Sequence, residues 1–117
     1  MIINFEIFEN SESYKDINSG EYVILNINDH YLFHHFTDID NRKFLKYINS
    51  TIGEISIILR TNKVIITYDN IPKHVRQFFK YDNSNKYNMT FNVDDIKYHS
   101  SNKDDVESYL QAKKYNL

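Results

Sequence analysis

The sequence of 117 residues contains no cysteine and no tryptophan, one proline and two glycines. Without cysteine there are no disulfide bonds, thiolate zinc sites or cysteine nucleophiles. Because a secreted domain of this size usually carries disulfides, we expect a cytoplasmic location. Two glycines are too few for the glycine-rich loops that hold phosphate in P-loop and dinucleotide-binding proteins, so both classes are excluded.

Long hydrophobic runs and targeting signals are also missing. No apolar run approaches the roughly 20 residues that a membrane span needs. Residues 1–6 have neither the basic leader nor the long apolar core of a signal peptide. A composition of 41% hydrophobic and 26% charged residues excludes a disordered chain. We expect one domain over residues 1–117, since two domains would each be too small to bury an adequate core.

Apolar residues that alternate with polar ones predict most of the secondary structure as strands. The second of two predicted hairpins turns at Thr61 and Asn62. The predicted strands and hairpins cover residues 3–7, 21–36, 55–68 and 87–93, with a short return strand at 96–98 that follows a turn at Asp94 and Asp95.

Helical spacing of apolar residues predicts three helices. The clearest covers residues 41–52, with Asp40 as its N-cap and Gly53 as a left-handed C-cap. A short helix follows Pro72, and a third lies at the C-terminus. The element order β-ββ-α-ββ-α-β(β)-α predicts an α+β fold with a largely antiparallel sheet and helices packed on one face.

Side chains suited to catalysis or metal binding do not fall into a recognisable arrangement. His30 and His34 would lie on one face of a strand but about 13 Å apart, which is too far for one metal ion. Neighbouring aspartates, such as Asp104 and Asp105, are placed where helix caps and turns use them. The sequence therefore predicts no enzyme: no catalytic residues, no metal and no cofactor.

Charge is distributed in blocks along the chain. Residues 1–41 hold one lysine and eight acidic residues, whereas residues 42–80 hold eight basic and two acidic residues. If these blocks form separate surfaces, the acidic one would attract a basic protein. Ten tyrosines also exceed the needs of so small a core, and phenols suit binding surfaces.

These features favour a protein-binding module, most simply an inhibitor of another protein: an immunity protein, an antitoxin or a phage factor. Abundant Asn, Ile, Lys and Tyr, which have AT-rich codons, suggest a gene from an AT-rich genome or a mobile element. The expected partner is a basic protein such as a toxin, a nuclease or another nucleic-acid-handling enzyme, with a homodimer as an alternative. The residues predicted to bind it are Glu9, Glu12, Tyr14, Asp16, Tyr81, Asp82 and Tyr87.

A second hypothesis is a small RNA- or DNA-binding protein that uses the basic block. A net charge of −2 argues against it, because such proteins usually carry an uncompensated basic face. A third is a small His-dependent nuclease. The residues that would bind nucleic acid are Lys43, Lys46, Lys73, Arg76 and Lys80.

Overall fold

The computed structural model describes residues 16–28, 37–81 and 86–115. The predicted strand at 3–7 and the return strand of the first hairpin lie outside these residues, as does the turn that the polar residues 82–85 predict before the strand at 87–93. The described strands form one antiparallel sheet in the order β4-β5-β3-β2-β1-β6. They are β1 Tyr22–Leu25, β2 Gly53–Ile58, β3 Lys63–Asp69, β4 Lys80–Tyr81, β5 Lys86–Asn92 and β6 Ile96–Ser100.

Two α-helices and two short 3₁₀ helices complete the described structure. Helix α1 is Asp38–Asn49 and helix α2 is Lys103–Tyr115. The 3₁₀ helices are Lys73–Phe78 and Val93–Asp95. The predicted α+β class, the antiparallel sheet and the hairpin β2–β3 are confirmed.

The main core lies on one face of the sheet. Val23 and Leu25 of β1 belong to this core, and α1 and the 3₁₀ helix Lys73–Phe78 pack over it. The rings of Phe44 and Phe78 join these two helices, with centroids 4.7 Å apart. The predicted packing of helices on one face holds for this pair.

Helix α2 packs against the opposite face. Ile24 lies between Val23 and Leu25 and is fully buried, although its side chain points away from the main core. Its cross-strand neighbour is Tyr98, whose ring stacks on that of Tyr109 in α2 with centroids 4.6 Å apart. The sheet is therefore covered on both faces at the β1–β6 side.

The sequence predicts that β6 returns along β5, and this prediction is wrong. Strand β6 pairs instead with β1, at the other end of the sheet. A tight hairpin turn needs residues with positive φ. Neither Asp94 nor Asp95 has positive φ; both lie in the 3₁₀ helix Val93–Asp95. That helix redirects the chain, and the carbonyl of Asp95 accepts a hydrogen bond from Asn26 N–H at 2.9 Å.

Helix α1 begins and ends three residues earlier than predicted. Its N-cap is Thr37, whose Oγ1 accepts a hydrogen bond from Asp40 N–H at 3.1 Å, so the proposed cap Asp40 is wrong. At the other end, the side chain of Asn49 pairs with both backbone groups of Ile27 at 2.8 Å. The helix ends there, and Ser50 is the C-cap.

Gly53, predicted as the left-handed C-cap, is instead the first residue of β2, and its φ is not positive. A Cβ atom at this position would lie 2.5 Å from Ile66 Cγ2 and 2.7 Å from Tyr68 Cζ. Glycine is required here because a methyl group of Ile66 and the Tyr68 ring occupy the space that a side chain would fill. The requirement is one of packing, not of backbone conformation.

Replacing Gly53 with alanine should therefore destabilise the protein by about 1–3 kcal/mol, the usual cost of overpacking a core. Chemical denaturation would measure the change in the free energy of unfolding. Thr61→Ala, in the exposed hairpin turn, serves as the control and should cost less than about 0.5 kcal/mol. An unchanged stability for Gly53→Ala would mean that the Tyr68 ring does not lie over Gly53.

A second prediction follows from the position of Thr37 as the N-cap of α1. Thr37→Ala should cost about 0.5–2 kcal/mol through loss of the cap hydrogen bond. Asp40→Ala should cost about 0.3–1 kcal/mol, through its charge at the helix N-terminus, and only at low salt. Denaturation at low salt and in 1 M salt, where the Debye length is about 3 Å, separates the two. A salt-independent cost for Asp40→Ala that exceeds the cost of Thr37→Ala would contradict the assignment.

Candidate binding surfaces

The pairing of β2 with β3 shifts by one residue at Ser56. Ile55 lies opposite Ile66, but Ile57 lies opposite Ile65, so β2 has one extra residue between the two pairs. A β-bulge of this kind turns the strand and re-aims the side chains that follow it. Ile55 is buried in the core, whereas Ile57 shares the opposite face with Ile65 and is 50% exposed.

Three consecutive apolar residues are exposed after this bulge. Ile57, Ile58 and Leu59, which we call the hairpin patch, are 50%, 41% and 37% exposed. Ile57 lies on the face opposite the core, whereas Ile58, which pairs with the buried Val64, lies on the core face, so the patch occupies both faces at the end of the hairpin. Single exposed apolar side chains need no explanation, but a group of them at one end of a hairpin marks a candidate interaction site. Ile39 in α1 is also exposed, at 58%, but it stands apart from this group.

The turn that follows the hairpin patch is held in a defined conformation. Leu59 N–H donates to the carbonyl of Lys63 at 2.8 Å, which closes a turn of three residues, 60–62. Asn62 adopts a left-handed conformation with φ of 62°, as the last position of such a turn requires. Its carbonyl accepts a hydrogen bond from Val93 N–H at 2.9 Å. The patch is thus presented by a hairpin that is tied to the body of the protein.

Two cations flank the hairpin patch. Arg60 lies in the turn and Lys63 begins β3, and both are exposed. Lys63 Nζ donates to Asn92 Oδ1 at 2.6 Å. Within residues 16–28, 37–81 and 86–115, neither cation forms an ion pair within 4.0 Å. The patch therefore has a positively charged border.

The sheet face on which Ile57 lies is partly open. Ile65 and Thr67 of β3 are half-buried there, and Thr90 of β5 is exposed. On the same face, α2 packs on β6 and β1. Among the described elements, no helix makes comparable contact with β3 and β5 on this side. The open surface therefore extends from Ile57 onto β3 and β5, with Ile65 as its apolar member and threonines beside it.

The residues predicted to bind a protein partner are not gathered by the part of the chain that can be described. Glu9, Glu12, Tyr14 and Asp82 lie outside it, and Tyr81 is placed by its backbone in β4. Asp16 is exposed ahead of β1, and Tyr87 is half-buried in β5. Two strands, β2 and β3, separate β1 from β5, a distance of about 14 Å at ~4.8 Å per strand.

Four of the five residues predicted to bind nucleic acid lie on adjacent helices. Lys43 and Lys46 are exposed on α1, and Lys73 and Arg76 are exposed on the 3₁₀ helix that packs beside it. Lys80 does not continue this helix. It lies in β4 opposite Asn88, whose neighbour Met89 packs against the core, so Lys80 belongs to the other face of the sheet.

Most of the described tyrosine side chains have packing roles. Tyr68 is fully buried against Phe79 and Tyr47, and burial raises the pKa of its hydroxyl, which has no hydrogen-bond partner within the described structure. Burial also raises the pKa of Tyr47 and of Tyr109. The abundance of tyrosine is therefore not, in this part of the protein, an abundance of exposed phenols.

Histidine and carboxylate groups are dispersed. His99 Nδ1 lies 2.9 Å from Glu21 Oε1, in a half-buried pair at the β1–β6 side of the sheet. His74 is exposed on the 3₁₀ helix. In the described segments, no three His, Asp or Glu side chains are grouped so that they could hold a metal ion. No helix there has the length and apolar character needed to cross a membrane.

Searches against protein-family models, curated proteins and solved structures found no match to this chain.

Proposed function

We propose that the protein is a binding module that inhibits another protein by direct contact, in the manner of an immunity protein or an antitoxin. The hairpin patch is the proposed contact surface. The observation that carries the proposal is the bulge at Ser56, which turns Ile57 out of the core on a hairpin whose end also exposes Ile58 and Leu59. Apolar residues on a rigid support lose little conformational entropy on binding.

The patch has the size of an interface centre and not of a whole interface. Burying an isoleucine completely contributes about 1.5–3 kcal/mol, so the exposed parts of three such side chains offer about 3 kcal/mol. A stable complex needs more, and it obtains it from a surrounding rim of contacts. The half-buried strand residues beside Ile57, including Ile65 and Thr67, supply apolar area for that rim.

The charges beside the patch suggest the chemistry of the partner. Arg60 and Lys63 border the apolar side chains, so the complementary surface is an apolar recess with acidic groups at its edge. The expectation of a basic partner rests on the acidic block of residues 1–41 and stays a prediction. A toxin or a nucleic-acid-handling enzyme with such an acidic recess satisfies the proposal.

The test begins with a photo-crosslinking amino acid at position 57, with the same group at position 39 as the control. Both positions hold exposed isoleucines, but Ile39 lies on α1. A protein captured from the native host at position 57 and not at 39 would then be purified. Its binding by calorimetry and its own activity would be measured with the wild type, Ile57→Glu and Ile39→Glu.

We expect the wild type to suppress the partner's activity at stoichiometric amounts. Ile57→Glu should weaken binding about 30-fold or more, as loss of a central interface residue does. Ile39→Glu should change affinity less than about threefold. Binding without inhibition would overturn the inhibitory role, and equal effects of the two variants would overturn the surface. Self-association abolished by Ile57→Glu would assign the patch to a homodimer.

A further inference from the structure

A second surface with a different character lies on the helical layer over the main core. Lys43 and Lys46 of α1 and Lys73 and Arg76 of the adjacent 3₁₀ helix are all exposed. The two helices are joined beneath by the rings of Phe44 and Phe78. We call these four cations the helical basic surface. It does not include the hairpin patch.

The geometry of each helix sets its cations side by side. In a 3₁₀ helix, residues three apart lie directly above one another, so Lys73 and Arg76 share one side while Val75 and Phe78 share the buried side. In α1, Phe44 faces the 3₁₀ helix through its ring contacts with Phe78 and with Phe79, the residue that follows that helix. Lys43 and Lys46 are exposed neighbours three residues apart on the same helix. Helices in contact have axes about 8–10 Å apart, so these cations border a common surface.

Arg76 is oriented before any ligand arrives. Its Nε donates to the carbonyl of Ile71 at 2.9 Å, and its guanidinium carbon lies 5.9 Å from the centre of the Tyr87 ring. The terminal N–H groups of the guanidinium are not used by these contacts. A guanidinium held in this way can donate two parallel hydrogen bonds to one phosphate group.

Acidic groups do not neutralise these cations at close range. Within the described part of the chain, none of the four forms an ion pair within 4.0 Å. Asp38 and Asp40 lie in the first turn of α1, where the helix dipole stabilises them, and Lys46 lies in the last turn. Among the described residues, Asp69 at the end of β3 also lies on this side, where its charge acts on Tyr47 of α1.

From these observations we propose that the helical basic surface binds the phosphate backbone of a nucleic acid, RNA or DNA. Three exposed lysines beside one oriented guanidinium suit a polyanion such as a phosphate backbone. The overall charge of −2 does not oppose this, because charges beyond a Debye length of about 8 Å are screened at physiological salt. The proposal is independent of the hairpin patch.

The test measures fluorescence anisotropy of labelled single-stranded RNA, single-stranded DNA and duplex DNA of 12 nucleotides or base pairs over a range of salt. One variant carries Lys43→Gln, Lys73→Gln and Arg76→Gln. Its matched control carries the same change of charge on β6 and α2, as Lys97→Gln, Lys103→Gln and Lys113→Gln. Thermal unfolding of both variants checks that they remain folded.

We expect wild-type binding that weakens steeply with salt, and loss of at least about tenfold in affinity for the first variant. Its slope of log K against log salt should decrease by about 2, since each phosphate contact on a single strand contributes about 0.7. The control and Ile57→Glu should bind as the wild type does. Binding of one nucleic acid class only identifies the natural ligand class. Equal losses in both triple variants, no binding to any probe at 50 mM salt, or equal displacement by polyglutamate would overturn the proposal.

Discussion

The contact between the Tyr68 ring and Gly53 is the constraint on which the arrangement of the sheet depends. Gly53 lies opposite Val23 of β1, while the ring that covers it belongs to β3, so one position connects three neighbouring strands. The position of Gly53 fixes the register at the start of β2, where Ile55 lies opposite Ile66. The ring is fully buried, and its packing against Tyr47 and Phe79 carries the constraint on to the helical layer.

The other end of β2 is fixed independently by the hairpin turn. The Leu59–Lys63 hydrogen bond and the left-handed Asn62 set a register that differs by one residue from the one set at Gly53. The extra residue is Ser56, and the bulge there is the consequence. The bulge turns Ile57 to the face opposite the core, whereas Ile58, opposite the buried Val64, lies on the core face at the exposed end of the hairpin. The outward orientation of Ile57 thus follows from two requirements with different registers, the packing at Gly53 and the geometry of the turn at Asn62.

The two proposed surfaces stand at opposite ends of β3. The hairpin turn precedes Lys63, and the 3₁₀ helix that carries Arg76 follows Asp69 after a short connection. Seven residues of strand separate these ends by about 20 Å at ~3.3 Å per residue. A partner protein and a nucleic acid could therefore occupy the chain together, which is the arrangement that an inhibitor of a nucleic-acid-handling enzyme would use.

Local patterns in the sequence predicted the α+β class, the β2–β3 hairpin with its turn at Asn62, and the apolar stripe of α1. These patterns failed where two nearby residues can both cap a helix, and where the strand that pairs with a given strand is distant in the sequence. Thr37 and Asp40 are both suitable N-caps, and only the hydrogen bond from Asp40 N–H to Thr37 Oγ1 shows that Thr37 is the one used. Nothing local indicates that β6 pairs with β1.

The sequence pattern also fails to predict the exposure of Ile57. Alternation of Ile55, Ile57 and Leu59 suggests one buried face, and a bulge is invisible to that pattern. The available sign was the unbroken run Ile57, Ile58, Leu59, which no single face can bury.

The orientation of Ile57 is the central claim, and single-cysteine labelling tests it most directly because the chain contains no cysteine of its own. Ile57→Cys and Ile55→Cys would each be treated with a small thiol reagent in the native and the denatured states. With Ile57 outside the core, Ile57→Cys should react within about tenfold of its denatured rate, whereas Ile55→Cys should react at least about 100-fold more slowly, through opening of the structure. Protection of Ile57→Cys equal to that of Ile55→Cys would contradict the account, because both side chains would then face the core.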